Sequence, residues 1–149
     1  MAKILSFDNK LMKIGNGLLG PAEAAPVGSD YKLVLTDASY HGFRLRSFNP
    51  NVTSGSWNDT DLTAMELAEM NDPEDYLYYS CPGHVQGQIK PLTLIIANVS
   101  ADTLTFKYGY GDGDVNYILY KTVGGIDTQI ASGTLRVYIS YNEATLNLT

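Results

Sequence analysis

Short runs of alternating apolar and polar residues recur along the chain and predict a mainly β protein. In a strand, successive side chains point to opposite faces of the sheet, so a period of two indicates one buried face. Strands of this kind with turn residues between them are typical of an antiparallel β-sandwich, of immunoglobulin-like or jelly-roll-like type. The predicted strands are 31–36, 43–48, 76–81, 92–99, 103–108, 115–122, 126–131, 134–141 and 144–148.

One segment departs from this period and predicts a short α-helix at about 60–70. Asp59 stands where an N-cap is expected, and Asp61 suits the positive end of a helix dipole. The sequence Asn71-Asp-Pro73 ends the helix. A one-sided apolar stripe is predicted from Leu62, Met65, Leu67 and Met70.

Residues 1–20 predict an N-terminal β-hairpin arm. Two apolar runs, 3–7 and 10–14, flank Asp8-Asn9, a pair that tolerates the positive φ of a two-residue turn. So short a hairpin is marginal alone in water, and we expect it to pack on its own domain or to extend a neighbouring subunit's sheet. The expected assembly contacts are Ile4, Leu5, Phe7, Leu11, Met12, Ile14, Leu18 and Leu19.

Proline and alanine then predict a linker over residues 21–30, which leaves 31–149 as one β-sandwich domain. Cys81 is the only cysteine, so no disulfide can form within the chain. Charged residues interrupt the first twenty positions, so no signal peptide is expected and synthesis is expected in a cytoplasm. No apolar run is long enough to predict a membrane span.

The net charge of −6 is unevenly distributed and argues against a nucleic-acid partner, which requires clustered Lys and Arg. The chain has three arginines, and residues 47–89 contain no Lys or Arg. The acids at 59–75 are expected either to line a solvated helix surface or to bind a basic surface of a partner. They are Asp59, Asp61, Glu66, Glu69, Asp72, Glu74 and Asp75.

Two small groups of residues could carry chemistry, and neither is complete. Cys81 and His84 could form a nucleophile and base, but the Cys-Pro-Gly-His sequence is typical of a turn. Asp112 and Asp114 resemble part of a calcium loop that lacks its later ligands. We therefore predict no enzyme activity, no cofactor and no metal.

The chain contains eleven tyrosines, an unusual number for its length. Tyr78 and Tyr79 are adjacent in a predicted strand, so at least one of them must point outward. Exposed aromatic rings suit both protein interfaces and stacking on sugars. Trp57, Tyr78 and Tyr110 are therefore the candidate contacts with a protein partner or, in the alternative of a lectin-like adhesion module, with a carbohydrate.

Residues 4–19, with the sequence ILSFDNKLMKIGNGLL, resemble N-terminal segments of structural proteins from tailed phages of gut Bacteroidetes, including the crAss-like phages. The resemblance implies a virion component made in the bacterial host: an auxiliary capsid or decoration protein, a head-fibre protein or a tail subunit. It also implies that the partners are other virion proteins, in a homo-oligomer or larger assembly, and it transfers no catalytic residue.

Overall fold

The computed structural model describes residues 28–37, 42–57, 59–79, 91–111 and 113–149, which form ten strands and one helix. The helix α1 spans Ala64–Asn71. The strands are β1 (Ser29–Asp37), β2 (Phe43–Asn49), β3 (Ser54–Trp57), β4 (Thr60–Asp61), β5 (Leu77–Tyr79), β6 (Leu92–Val99), β7 (Thr103–Gly109), β8 (Gly113–Val123), β9 (Ile126–Val137) and β10 (Asn142–Asn147).

The strands form two antiparallel sheets. One has six strands in the order β4-β3-β6-β1-β8-β9, and the other has four in the order β10-β7-β2-β5. The predicted mainly β fold with two antiparallel sheets and one short helix is confirmed. Strand β1 lies inside the six-stranded sheet, where Leu33 is opposite Leu94 of β6 and Leu119 of β8.

A single apolar core joins the inner faces of the two sheets. Phe48 of β2 stacks on Phe106 of β7 with ring centroids 4.7 Å apart and planes 10° from parallel. Tyr31 of β1 is also buried, and its hydroxyl donates a hydrogen bond of 2.9 Å to the carbonyl of Leu148. This bond ties the central strand of one sheet to the residue that directly follows β10 of the other.

The helix begins at Ala64, later than predicted, because Thr63 and not Asp59 is its N-cap. The Thr63 hydroxyl accepts from the Glu66 amide while the Glu66 carboxylate accepts from the Thr63 amide, which is a capping box. Leu67 and Met70 face the core, but Met65 is 72% exposed. Its predicted place in the apolar stripe is wrong. Met65 precedes Leu67 by two residues, which is a rotation of about 200° around the helix, so the two side chains point to opposite sides.

Strands β3 and β4 lie where the sequence predicted no strand. Ser54-Gly-Ser-Trp57 lacks an alternating apolar pattern, yet it pairs with β6 through its backbone. Gly55 makes this possible, because a Cβ there would lie 2.5 Å from the Thr93 carbonyl oxygen. Thr60 and Asp61, predicted as the first helical residues, pair with Trp57 and Ser56 instead.

Strand β9 is one continuous strand of 12 residues, whereas the sequence predicted two. A break was predicted at Ser132-Gly133, but these two residues pair in register with Ile118 and Tyr117 of β8. The ring of Tyr117 lies over Gly133, at 2.9 Å from where a Cβ would be, and so fills the space that the glycine leaves. Residues 138–141, predicted as the end of that strand, instead lead into β10.

The predicted N-terminal arm lies outside the described residues, as does most of the predicted linker. Strand β1 begins at Ser29, so the last two linker residues belong to the sheet. Across the described ranges, no helix combines the length and apolar character needed to cross a membrane.

The turn of the β8–β9 hairpin is anchored to the neighbouring strands by Asp127. Its carboxylate accepts from the ammonium group of Lys32 on β1 and from the Thr122 hydroxyl on β8. Both hydrogen bonds lower the pKa of the Asp127 carboxyl below its ordinary value, and the one from Lys32 has the larger effect.

Replacing Phe106 with alanine should strongly destabilise the fold, because the ring is fully buried and stacked on Phe48. We expect the free energy of unfolding, measured by urea denaturation, to fall by about 3–5 kcal/mol. The control Ile139→Ala alters a side chain that is 84% exposed and should change it by less than about 0.5 kcal/mol. Similar losses in both variants would contradict the placement of the core.

The carboxyl of Asp127 should titrate at a lower pH than an ordinary aspartate, whose pKa is about 3.9. Its contacts with Lys32 and Thr122 therefore stabilise the fold above the unfolded-state pKa, and this contribution is lost as the pH falls through the lower folded-state value. An NMR titration of the side-chain carboxyl measures the midpoint. Lys32→Met should raise it, whereas Lys121→Met should leave it nearly unchanged; an ordinary midpoint in the unaltered protein would contradict these contacts.

Candidate interaction surface

The outer face of the four-stranded sheet is built on two arginines of β2. Phe43 and Leu45 are buried in the core. Because side chains alternate along a strand, Arg44 and Arg46 point to the opposite, outer face. The same alternation places Lys107 of β7 beside Arg46, since these two residues are directly opposite each other.

Aromatic rings and guanidinium groups make a continuous series of contacts on this face. The Arg44 Cζ lies 4.0 Å from the ring centroid of Tyr76 and 4.6 Å from that of Tyr110. Tyr110 meets Tyr141 edge to face, with centroids 4.7 Å apart. The Arg46 Cζ is 3.9 Å from the Tyr141 centroid. We call these five residues, Tyr76, Arg44, Tyr110, Tyr141 and Arg46, the Arg–Tyr row.

Two turns carry Tyr110 and Tyr141 to the same place. The β7–β8 turn and the β9–β10 turn touch at Gly109, where a Cβ would lie 2.3 Å from the Ser140 carbonyl oxygen. The amide of Gly111 donates a hydrogen bond of 3.1 Å to the carbonyl of Tyr138. Only glycine at position 109 allows this approach, so the pairing of Tyr110 with Tyr141 depends on it.

Arg46 is also held from the side of the helix. Its Nη1 donates a hydrogen bond of 2.9 Å to the carbonyl of Pro73, just beyond α1. A guanidinium group fixed by a ring and by a carbonyl loses little conformational freedom when a partner binds. The row is therefore preorganised at Arg46.

The face is positively charged in a chain that is negative as a whole. Three of the six Lys and Arg residues in the described ranges lie on it: Arg44, Arg46 and Lys107, as against Lys32, Lys121 and Arg136 elsewhere. Glu143 of β10 is directly opposite Lys107 and offsets part of this charge. The acids of 59–75 lie on the neighbouring helix and its flanking segments, so positive and negative surfaces adjoin.

Two of the three predicted contact residues lie on this face. Tyr110 is part of the row, and Tyr78 is directly opposite Arg44 in the β2–β5 pair. Their exposed fractions are 45% and 44%. Tyr79 is fully buried, so the prediction that one of this adjacent pair points outward is confirmed.

Trp57, the third predicted contact, lies apart from the other two. It belongs to β3 of the six-stranded sheet and packs against the core, with its ring centroid 5.2 Å from that of Tyr79 in an edge-to-face contact. It is half-buried and does not offer an open ring face beside Tyr78 and Tyr110. The eight predicted arm contacts lie outside the described residues.

Sequence reasoning missed four of the five residues of the row. For Arg44 and Arg46 a signal was present, because the alternation Phe-Arg-Leu-Arg places both cations on one face. Tyr76 and Tyr141 had no such signal, since their contacts depend on how the strand connections fold. Those contacts become visible only when the two sheets are assembled.

The residues considered for chemistry do not form a site in the described part of the chain. Asp114 makes an ion pair with Arg136. Cys81, His84 and Asp112 lie outside the described residues. Within the ranges that the structure covers, no group of three or more His, Cys, Asp or Glu residues could hold a metal ion.

Replacing Arg44 with alanine should remove two guanidinium–ring contacts. Exposed cation–π contacts contribute about 0.5–1 kcal/mol each, so the free energy of unfolding should fall by about 1–2 kcal/mol. Lys107→Ala removes a cation from the same face without removing a ring contact, and it should cost less than about 0.5 kcal/mol. Urea denaturation of both variants provides the comparison, and equal effects would contradict the contribution of the row.

No protein-family model, curated protein or solved structure matches this chain. The resemblance of residues 4–19 to phage structural proteins therefore stays a prediction, and these residues lie outside the described ranges. The Arg–Tyr row is identified from the chain's own geometry.

Proposed function

We propose that this chain is a non-enzymatic structural protein of a phage particle that works by binding other protein subunits. The observation that carries the proposal is the Arg–Tyr row on the outer face of the four-stranded sheet. Tyr and Arg are enriched in the fully buried centres of protein interfaces, where a few such residues dominate the binding energy.

The geometry of the row supports binding of a protein partner. Rings and guanidinium groups that already contact one another lose little side-chain freedom on association, which lowers its entropic cost. The cations Arg44, Arg46 and Lys107 favour a partner surface with exposed carboxylates or backbone carbonyls. We therefore expect the partner to present an acidic surface to this face.

A carbohydrate partner is the alternative, and the same geometry supports it less well. Stacking on a sugar requires a ring with an open face. The guanidinium group of Arg44 already contacts the ring of Tyr110, and the edge-to-face contact with Tyr141 occupies a further part of the space around that ring. Trp57 is packed against Tyr79.

The place of the chain in a virion rests on the resemblance of residues 4–19. Auxiliary capsid proteins, head-fibre proteins and tail subunits all assemble through repeated protein–protein contacts. A small β domain with a face that binds other proteins suits each of these roles. The proposal therefore places the protein in the particle, in contact with other virion proteins.

The proposal predicts that the protein copurifies with intact phage particles. Particles from the native source, banded on a density gradient, should contain this chain in a fixed ratio to the major capsid protein, measured by quantitative mass spectrometry. Absence from the particle band would contradict the virion role.

Incorporation should depend on the cationic face. Particles assembled with Arg44→Glu should contain at least about tenfold less of the chain, because one interface centre can contribute more than about 1.4 kcal/mol. The matched control Lys121→Glu makes the same charge change on the other sheet and should be incorporated normally. Specific binding of the unaltered chain on a glycan array, with normal incorporation of Arg44→Glu, would favour the carbohydrate alternative.

A further inference from the structure

Strand β9 is a long open edge of the six-stranded sheet. It pairs with β8 on one side, and no strand within the described ranges pairs with its other side. The remaining edge strands are shorter, with 2 residues in β4, 3 in β5 and 6 in β10, against 12 in β9. Long open edges present unpaired backbone groups and are usually covered by a partner or interrupted.

Exposed apolar side chains mark the turn end of this edge. Val123 and Ile126 flank the turn of the β8–β9 hairpin and are 66% and 71% exposed, and Ile130 lies further along β9 at a shift in its register with β8. The turn itself, Gly124-Gly125, has open space at both Cβ positions. An added strand would therefore gain apolar contacts as well as main-chain hydrogen bonds.

Gly28, the first of the described residues, lies at this same end. The Gly28 amide is held by the side-chain oxygen of Asn98, and Asp30 of β1 is directly opposite Thr122 of β8. Thr122 in turn bonds to Asp127 at the start of β9. The 27 residues that precede Gly28 are thus attached beside the turn end of the open edge.

Strand direction favours antiparallel pairing between the arm and β9. Both β1 and β9 run antiparallel to β8, so both begin at the turn end. A segment that leads into Gly28 reaches this end with its carboxyl-terminal residues. When two copies meet at their turn ends, a strand at 10–14 of one copy would run antiparallel to β9 of the other.

The length of the connecting segment allows the arm to reach a second copy. Two strand spacings, about 10 Å, separate β1 from β9. Residues 15–27 can extend over about 40 Å, and Pro21 and Pro26 favour an extended backbone. This span exceeds the distance to the chain's own β9 and is long enough to reach a neighbouring subunit.

We infer that residues 3–14 of one copy dock on the open edge of β9 in a second copy through strand 10–14 and extend its six-stranded sheet. This inference rests on the proposed function, because it supplies one contact through which copies associate. Leu11 and Ile14 fall on opposite faces of such a strand, so either sheet face receives an apolar residue from the arm.

Hydrogen–deuterium exchange of the full chain tests this inference. Amides of 126–137 should exchange on the order of tenfold more slowly at high than at low protein concentration, because dilution separates the copies. Sedimentation velocity should show oligomers at the high concentration. The variant Leu11→Asp/Ile14→Asp should abolish both effects, while exchange in β10, the edge of the other sheet, stays unchanged.

The matched control is Asn9→Asp/Asn16→Asp, which adds the same two charges at predicted turn positions of the arm and should behave like the unaltered chain. Protection of β9 that does not change with concentration would mean that each arm covers its own edge and would overturn the inference. Equal exchange in the unaltered chain and in Leu11→Asp/Ile14→Asp would also overturn it. A chain that is present in particles but fails this test keeps the proposed function and loses only the edge contact.

Discussion

Burial of one face of each sheet against the other decides where the remaining side chains point. On β2 the core takes Phe43 and Leu45, so both arginines must lie outside. On β5 it takes Tyr79 and leaves Tyr78 exposed. Core formation thus places the two arginines of the Arg–Tyr row, because they alternate along β2 with residues that the core buries.

Close approach of two turns completes the row. The arginines lie within β2, whereas Tyr110 directly follows β7 and Tyr141 directly precedes β10. Gly109 lets these connections touch, and the edge-to-face contact of the two rings follows from that approach. Strand alternation and a single glycine, which are separate features of the sequence, therefore act together to form one surface.

The period-two pattern predicted most of the strands, and β6 was found at the predicted bounds, Leu92–Val99. The pattern failed where pairing depends on the backbone alone, as in β3, and where a ring from the next strand compensates for a glycine, as at Gly133. The helix start was missed because the capping box formed by Thr63 and Glu66 outweighs the nearby Asp59. Tyr78 and Tyr110 could be predicted as outward residues, but their shared face follows from tertiary contacts that no local pattern encodes.

The central position of β1 has a consequence for how the chain folds. Its two partners, β6 and β8, follow it by dozens of residues, so closing these pairs costs more loop entropy than forming a local hairpin. Sheets dominated by such distant pairs fold slowly. Until β8 has been synthesised, the buried side chains of β1 lack one of their two strand neighbours, and the nascent chain depends on its more local pairs to limit exposure of apolar surface.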